Sequence, residues 1–255
     1  MTSTSLPPCN DTAPAPSEPL GAKEVFPKPL RFKSLLPALV VALVALAMIP
    51  FAKHLDARIS PVIENLPITT FSVATRQLSN VFAILGIVAT IWALDSRRRA
   101  SLAVLAVAYL LATGVNEGVK ITTGRARPHT INPKKPQGRQ LPGSLGDPAP
   151  MEFVDRWTWW RNLPGKRTSD YRSFPSGHAN AAFVMAGYLS ALYPPARVVW
   201  YVAAAGCGVG RVRGGRHYTT DVLFGGASGW LVAQIVFSWA WPMRLGHWLR
   251  RRTRS

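Results

Sequence analysis

Apolar and polar positions along this chain are sorted into blocks, with little interleaving. Six stretches are nearly free of charge and approach the ~20 apolar residues needed to cross a bilayer core. They are about Ser34–Ala52, Phe71–Leu94, Ser101–Val119, His178–Tyr193, Ala196–Gly210 and Thr219–Trp241. The fourth and fifth are short, and Ala203–Gly210 is rich in small residues, as closely packed membrane helices are. Arg76 falls near the outer end of the second, where a long stem lets its charge snorkel to the interface. The third turns polar only at its end, with Asn116 and Glu117. The pattern predicts an all-α protein, an integral membrane bundle of six transmembrane helices over 34–243, with a tail at 1–33 and a basic tail at 244–255.

Composition sharpens that picture. Charged residues make up only 16% of the chain, so the formal net charge of +18 is concentrated in short connections. Basic clusters flank the apolar blocks at Lys28, Arg31 and Lys33, at Arg97–Arg99 and at Arg250–Arg254. That is the positive-inside pattern of a cytoplasmic edge, and a nucleic-acid binder would instead spread its cations along one face. No nucleic-acid partner is expected. The N-terminal tail is rich in Pro and Ser without an apolar signal-peptide core, so it is expected to be disordered and cytoplasmic. Cys9 and Cys207 lie in unlike surroundings, which argues against a disulfide or a metal site.

Three polar islands sit at the ends of apolar blocks: Lys120 to Pro128, Pro175 to His178, and Arg211 to Asp221. With the basic clusters in the cytoplasm, counting crossings brings all three to the opposite face. The connection 129–174 lies on that face as well. It is long, rich in Pro and Gly, and carries Trp157, Trp159 and Trp160; Glu152–Arg161 reads either as a short interfacial helix with its indoles at headgroup depth or as a floppy loop with incidental aromatics. Ionisable groups at membrane depth are costly and point to function.

The residue types in the islands fit phosphoryl chemistry. His217 and Asp221 are four apart and share a helix face, so the carboxylate is placed to take one imidazole proton and leave the other nitrogen free to attack phosphorus. Ser176 is a natural N-cap, and Gly177 leaves an open N–H in the first turn of an anion-binding helix start. His178 beside it is suited to protonate a departing oxygen and then activate water. Lys120, Arg127 and Arg211 supply positive charge for the phosphate oxygens. Arg125, Arg213 and Arg216 are read as interfacial anchors or headgroup contacts.

Taken together, Lys-x6-Arg-Pro, Pro-Ser-Gly-His and Arg-x5-His-x3-Asp resemble the motifs of the type 2 phosphatidic acid phosphatase family, whose relatives include bacterial acid phosphatases and vanadium haloperoxidases. The resemblance covers about Lys120 to Asp221. It implies His217 as nucleophile, Asp221 as its orienting carboxylate, His178 as general acid, and Lys120, Arg127, Arg211, Ser176 and Gly177 as the phosphate cradle. It also implies that no metal or other cofactor is needed. Two departures stand out: Gly210 occupies the place of a usual serine, and the Trp-bearing connection is long. The expected activity is hydrolysis of a terminal phosphate from a lipid, at the periplasmic face of a bacterial inner membrane. Undecaprenyl diphosphate, phosphatidylglycerol phosphate, phosphatidic acid and lipid A are the candidate substrates. The basic residues of the outer connection, among them Lys134, Lys135 and Arg139, favour a large anionic headgroup. Three other readings share part of the pattern: a lipid phosphotransferase, a haloperoxidase and a non-enzymatic membrane scaffold. Nothing in the pattern sets an oligomeric state.

Overall fold

The computed structural model describes residues 51–123, 125, 127–128 and 172–252, with isolated positions at 40, 43, 44 and 47. The secondary structure among these residues is helical: α1 (Ala52–Glu64), α2 (Thr69–Arg76), α3 (Val81–Leu94), α4 (Leu102–Thr123), α5 (Gly177–Leu192), α6 (Arg197–Arg213), α7 (Thr219–Phe237) and α8 (Ala240–Arg252).

Helix α5 holds the centre. Eleven of its 16 residues are buried, and it packs on α4, α6 and α7. The reason is in its composition: alanines and a glycine on nearly every side let neighbours approach all round, as a fully enclosed apolar helix requires. The core beside it is built from Ile84 and Ile91 of α3, Val104 and Leu105 of α4, Met185 and Leu189 of α5, and Val236 of α7. Tyr188 enters this core with its hydroxyl 2.8 Å from Ser101 Oγ, so the buried polar group keeps a partner. Helix α7 crosses the start of α5 at close range. A Cβ added to Gly225 would lie 2.3 Å from the Ser176 carbonyl oxygen, so only glycine permits this crossing.

The outward faces are also apolar. Phe82, Leu94, Leu110, Ile121, Val198 and Val199 are all exposed. Water-soluble monomers rarely present so much apolar surface, whereas a hydrocarbon surround favours it. Among the described residues, two helical runs are long and apolar enough to cross a membrane, Arg99–Thr123 and Thr219–Phe237. A bent pair makes a third if counted as one span.

That bent pair corrects the expected continuous second span. Thr70–Ser79 and Val81–Leu94 meet at 65°. The local cause is Asn80, whose backbone is extended and whose Oδ1 accepts the Phe82 N–H at 3.0 Å, so it restarts the helix as an N-cap. The expected last span is likewise divided, with α7 ending at Phe237 and α8 carrying the basic end as helix to Arg252. The expected fourth and fifth spans correspond to α5 and α6, of 16 and 17 residues. Most of the expected first span, and all of Glu152–Arg161, lie outside the described residues. Helix α1 was not anticipated, and it turns Asp56 and Ser60 inward, both buried.

Candidate active site

The three polar islands meet where α4 ends and α5 and α7 begin. Backbone bonds stitch them together: the Ser176 N–H donates to the Asp221 carbonyl at 2.9 Å, and the Ser173 N–H to the Arg125 carbonyl at 3.0 Å. Thr123 Oγ1 donates to the Phe174 carbonyl at 3.0 Å.

His217 lies in the turn before α7 and is almost fully buried. Its Nδ1 is 2.7 Å from the Ser173 carbonyl oxygen. A carbonyl only accepts, so Nδ1 carries the proton and Nε2 holds the lone pair. The expectation that Asp221 takes this proton is corrected, since Asp221 Oδ2 stands 3.7 Å from Nδ1, too far for a hydrogen bond. The carboxylate is occupied elsewhere. It accepts from Ser173 Oγ at 2.5 Å, from the Tyr218 N–H at 2.8 Å and from Arg125 Nη1. The Tyr218 bond closes the start of α7, with Asp221 at the third position of that helix. Asp221 therefore positions His217 through Ser173 and through its nearby charge. Burial holds the His217 imidazole below its ordinary pKa; Asp221 opposes that shift, while Arg211 and Arg127 add to it. The ring is neutral at neutral pH.

Arg125 is not an interfacial anchor, as the sequence had it. It is fully buried, paired with Asp56 at 2.6 Å through Nη2 and with Asp221 through Nη1, and it donates to Thr220 Oγ1 at 2.9 Å. Its guanidinium also lies over the Tyr218 ring, 4.0 Å from the centroid. A cation at the edge of an apolar run resembles a snorkelling anchor in sequence, but here two carboxylates reach it from other helices. Asp56 completes the web by accepting from the Thr220 N–H at 2.8 Å and from Thr220 Oγ1 at 2.6 Å. Arg213 is corrected too, since its Nε donates to the Leu66 carbonyl at 2.7 Å. Arg216 is exposed.

The cations of the cradle stand in front of this web. Ser176 Oγ accepts the Ala179 N–H at 3.4 Å, which caps the start of α5. Lys120 is close by, because a Cβ on Gly177 would come within 3.0 Å of its Nζ. Lys120 pairs with Glu117 at 2.5 Å, and Glu117 also receives Arg172. Arg211, half-buried, keeps an Nε with no hydrogen-bond partner. His178 and Arg211 line one pocket.

Residues 101–244, more than half of the chain, match the model of the PAP2 superfamily. The chain belongs to that family. It is 34% identical over 101 residues to a lipid A 1-phosphatase from Rhizobium johnstonii, a match covering 38% of this chain and 41% of the relative. The chain thus spans less than half the length of that curated relative. Among solved structures, Aquifex aeolicus LpxE superposes with a TM-score of 0.52 at 19% identity, covering 72% of this chain and 96% of that one, which shows a shared fold. A PAP2 type phosphatidylglycerolphosphate phosphatase from Bacillus subtilis superposes with a TM-score of 0.48 at 19% identity, covering 81% and 94%.

Against the PAP2 motif pattern, Gly210 now has a physical account. A Cβ there would stand 2.8 Å from the Ser72 carbonyl oxygen, because α2 runs against α6 at this point. The backbone of α2 takes the space a serine side chain would use. Two residues of this PAP2 site escaped the sequence reading, Asp56 and Ser173. Asp56 offered one signal, an acid four residues from Ser60 beside an apolar run, where a polar pair on one helix face is unusual. Ser173 offered none beyond its closeness to Ser176. Among the described residues, no three His, Cys, Asp or Glu side chains are grouped to hold a metal ion.

Proposed function

We propose that this PAP2 protein is an integral membrane lipid phosphatase that removes a terminal phosphate through a covalent phosphohistidine at His217. The observation that carries the reading is that His178 and Arg211 line one pocket, Lys120 stands at the α5 N-terminus, and Nδ1 of His217 is committed to Ser173. Nε2 attacks phosphorus while the bridging P–O bond breaks, and His178, which takes up a proton from solvent when the anionic phosphate binds beside it, delivers that proton to the departing oxygen. The phosphorylated ring is cationic, and the Ser173 carbonyl and Asp221 stabilise it from the Nδ1 side. His178, now neutral, takes a proton from water, and the resulting hydroxide displaces His217 from phosphorus. Lys120, Arg127, Arg211 and the Ser176–Gly177 turn hold the phosphate oxygens through both steps.

In this reading the chain forms the six-span bundle expected over 34–243, with an insert at 129–174 and with its site at the periplasmic rim of a bacterial inner membrane. No metal takes part. The substrate class is a lipid phosphate, and the name of the Rhizobium relative together with the basic outer connection favours phosphorylated lipid A within it. The test is phosphate release by the purified protein in nanodiscs from lipid A, undecaprenyl diphosphate, phosphatidylglycerol phosphate and phosphatidic acid, in chelator, beside His217→Ala. Release from at least one lipid in chelator, lost in the variant, together with an acid-labile phosphoprotein in the parent, is the expected result. Activity that needs added Mg²⁺, or a variant equal to the parent, overturns it.

A further inference from the structure

Helix α8 lies at the end of the bundle away from the site. It packs on the single turn Arg99–Ser101, which leads into α4 at Leu102, whereas Thr123 at the far end of α4 adjoins the site. Around its axis α8 has three unlike sides. The first is docked: Pro242 and Gly246 are buried, and a Cβ on Gly246 would collide with the Ala100 carbonyl, so backbone rests on backbone. The second is apolar. Trp241, Leu245, Trp248 and Leu249 recur at the spacing of one helix face, and all four are exposed. The third is basic, with Arg244, His247 and Arg251 exposed along one line. With about 3.6 residues per turn, the three sides stand roughly a third of a turn apart.

That distribution selects the surroundings of α8. A helix projecting into water would not keep four large apolar side chains exposed together. A spanning helix needs ~20 apolar residues, while α8 has 13 and gives one whole side to cations. A helix lying in the plane of a membrane surface needs three such sides: one for the bundle, one for acyl chains and one for headgroups. Trp239 and Trp241 stack with ring centroids 6.2 Å apart where α7 gives way to α8, and indoles favour headgroup depth. Charge selects the lipid. Residues 240–255 contain no Asp or Glu, so nothing in this stretch balances its arginines. A leaflet with net negative charge complements that side better than a zwitterionic one.

We infer that α8 is an in-plane anchor that binds anionic phospholipid in the leaflet opposite the candidate active site. The inference rests on the membrane reading above and is independent of the phosphatase chemistry. Trp241, Leu245, Trp248 and Leu249 enter the outer acyl region, and Arg244 and Arg251 meet the headgroup charge. Because Gly246 seats α8 on the turn before α4, the anchor also sets the depth of α4, which carries Lys120 near its other end.

The test uses the full-length protein in nanodiscs of phosphatidylcholine, alone or mixed with phosphatidylglycerol. In a Cys9→Ser background a bimane label is attached at Leu245→Cys or at His247→Cys, since Cys207 is buried. Brominated acyl chains are expected to quench the label at 245, and aqueous iodide the label at 247. The parent is expected to melt several degrees higher in the anionic discs. That gain should fall about twofold or more in Arg244→Gln/Arg251→Gln, and in high salt. Iodide quenching as strong at 245 as at 247, or a gain unchanged in the double variant, overturns the anchor. A label at 245 shielded from both quenchers, with two copies per disc, overturns it in favour of a face between copies. A chain that elutes free of the discs overturns the membrane reading and the anchor together. His217→Ala is run beside the parent and should keep the gain; if it also still releases phosphate, the phosphatase reading fails and the anchor stands.

Discussion

Arg125 and Arg211 belong to neighbouring clusters of charge that follow opposite rules. Arg125 sits in a sealed web with Asp56, Thr220, Asp221 and Ser173, all buried, where each carboxylate receives several donors. Arg211 sits in an open cradle with Lys120 and His178, half-buried, with its Nε unpartnered. In the first cluster two buried carboxylates pair with the arginine; in the second Lys120 pairs with Glu117, while Arg211 has no ion pair among the described residues. A buried ion is tolerable only when paired and bonded, so the web fixes geometry and has nothing left for a ligand. Arg211 keeps an Nε without a protein partner, as the proposed phosphate site requires.

The largest effect expected from probing this contrast is at the point where the clusters touch. His217→Ala removes the proposed nucleophile and is expected to lower phosphate release by about 10⁴-fold or more, as loss of a covalent catalyst does. Its Tm should move little, because only one bond, to the Ser173 carbonyl, is lost. Steady-state phosphate assays and melting curves in detergent check both halves.

The contrast itself is broken or upheld by a pair of substitutions. Arg125→Ala leaves Asp56 and Asp221 buried without their cation, which costs about 3–5 kcal/mol and should show as a large fall in Tm. Arg211→Ala leaves no carboxylate stranded, and is expected to keep the parent Tm while activity drops about 10²–10³-fold, as loss of one transition-state donor does. Should the two exchange behaviours, the sealed and open assignments are reversed.

This contrast also shows what the sequence held and what it did not. Lys120, Ser176, Gly177, His178, Arg211, His217 and Asp221 announce themselves by residue type and spacing near helix ends, and the structure gathers them. The difference between Arg125 and Arg127 is invisible at that level, since both are cations before one proline. It is decided by Asp56, which lies 69 residues from Arg125 in sequence and reaches it from a helix that hydropathy alone did not mark. The bend at Asn80 is hidden for a related reason. An asparagine within an apolar block looks like a tolerated polar residue until its side chain is seen capping the next helix. Hydropathy reads which segments seek apolar surroundings; it does not read where their backbone bonds are interrupted.

A smaller effect tests the cradle's charge without removing the chemistry. Burial, with help from Arg211 and Arg127, holds the His217 pKa below its ordinary value of 6.5. A lowered pKa means that protonation, which would block Nε2, begins only at more acidic pH. The acid limb of kcat/KM should therefore lie below pH 6.5 in the parent. Arg211→Gln removes one repelling charge, so the imidazole becomes easier to protonate and the limb should move to higher pH. A limb that stays in place in the variant would show that Arg211 does not act on His217, and would detach the cradle from the nucleophile.

The smallest expected effect concerns the departure from the family pattern at Gly210. If α2 excludes a side chain there, the obstacle is the Cβ atom, 2.8 Å from the Ser72 carbonyl oxygen, and the hydroxyl beyond it is irrelevant. Gly210→Ala and Gly210→Ser should then lose similar stability, about 1–3 kcal/mol as for other overpacked contacts, and neither should gain activity. A serine variant that melted like the parent and hydrolysed faster would mean that α2 yields easily. The cradle would then accept the usual hydroxyl, and the contact between α2 and α6 could no longer explain the glycine.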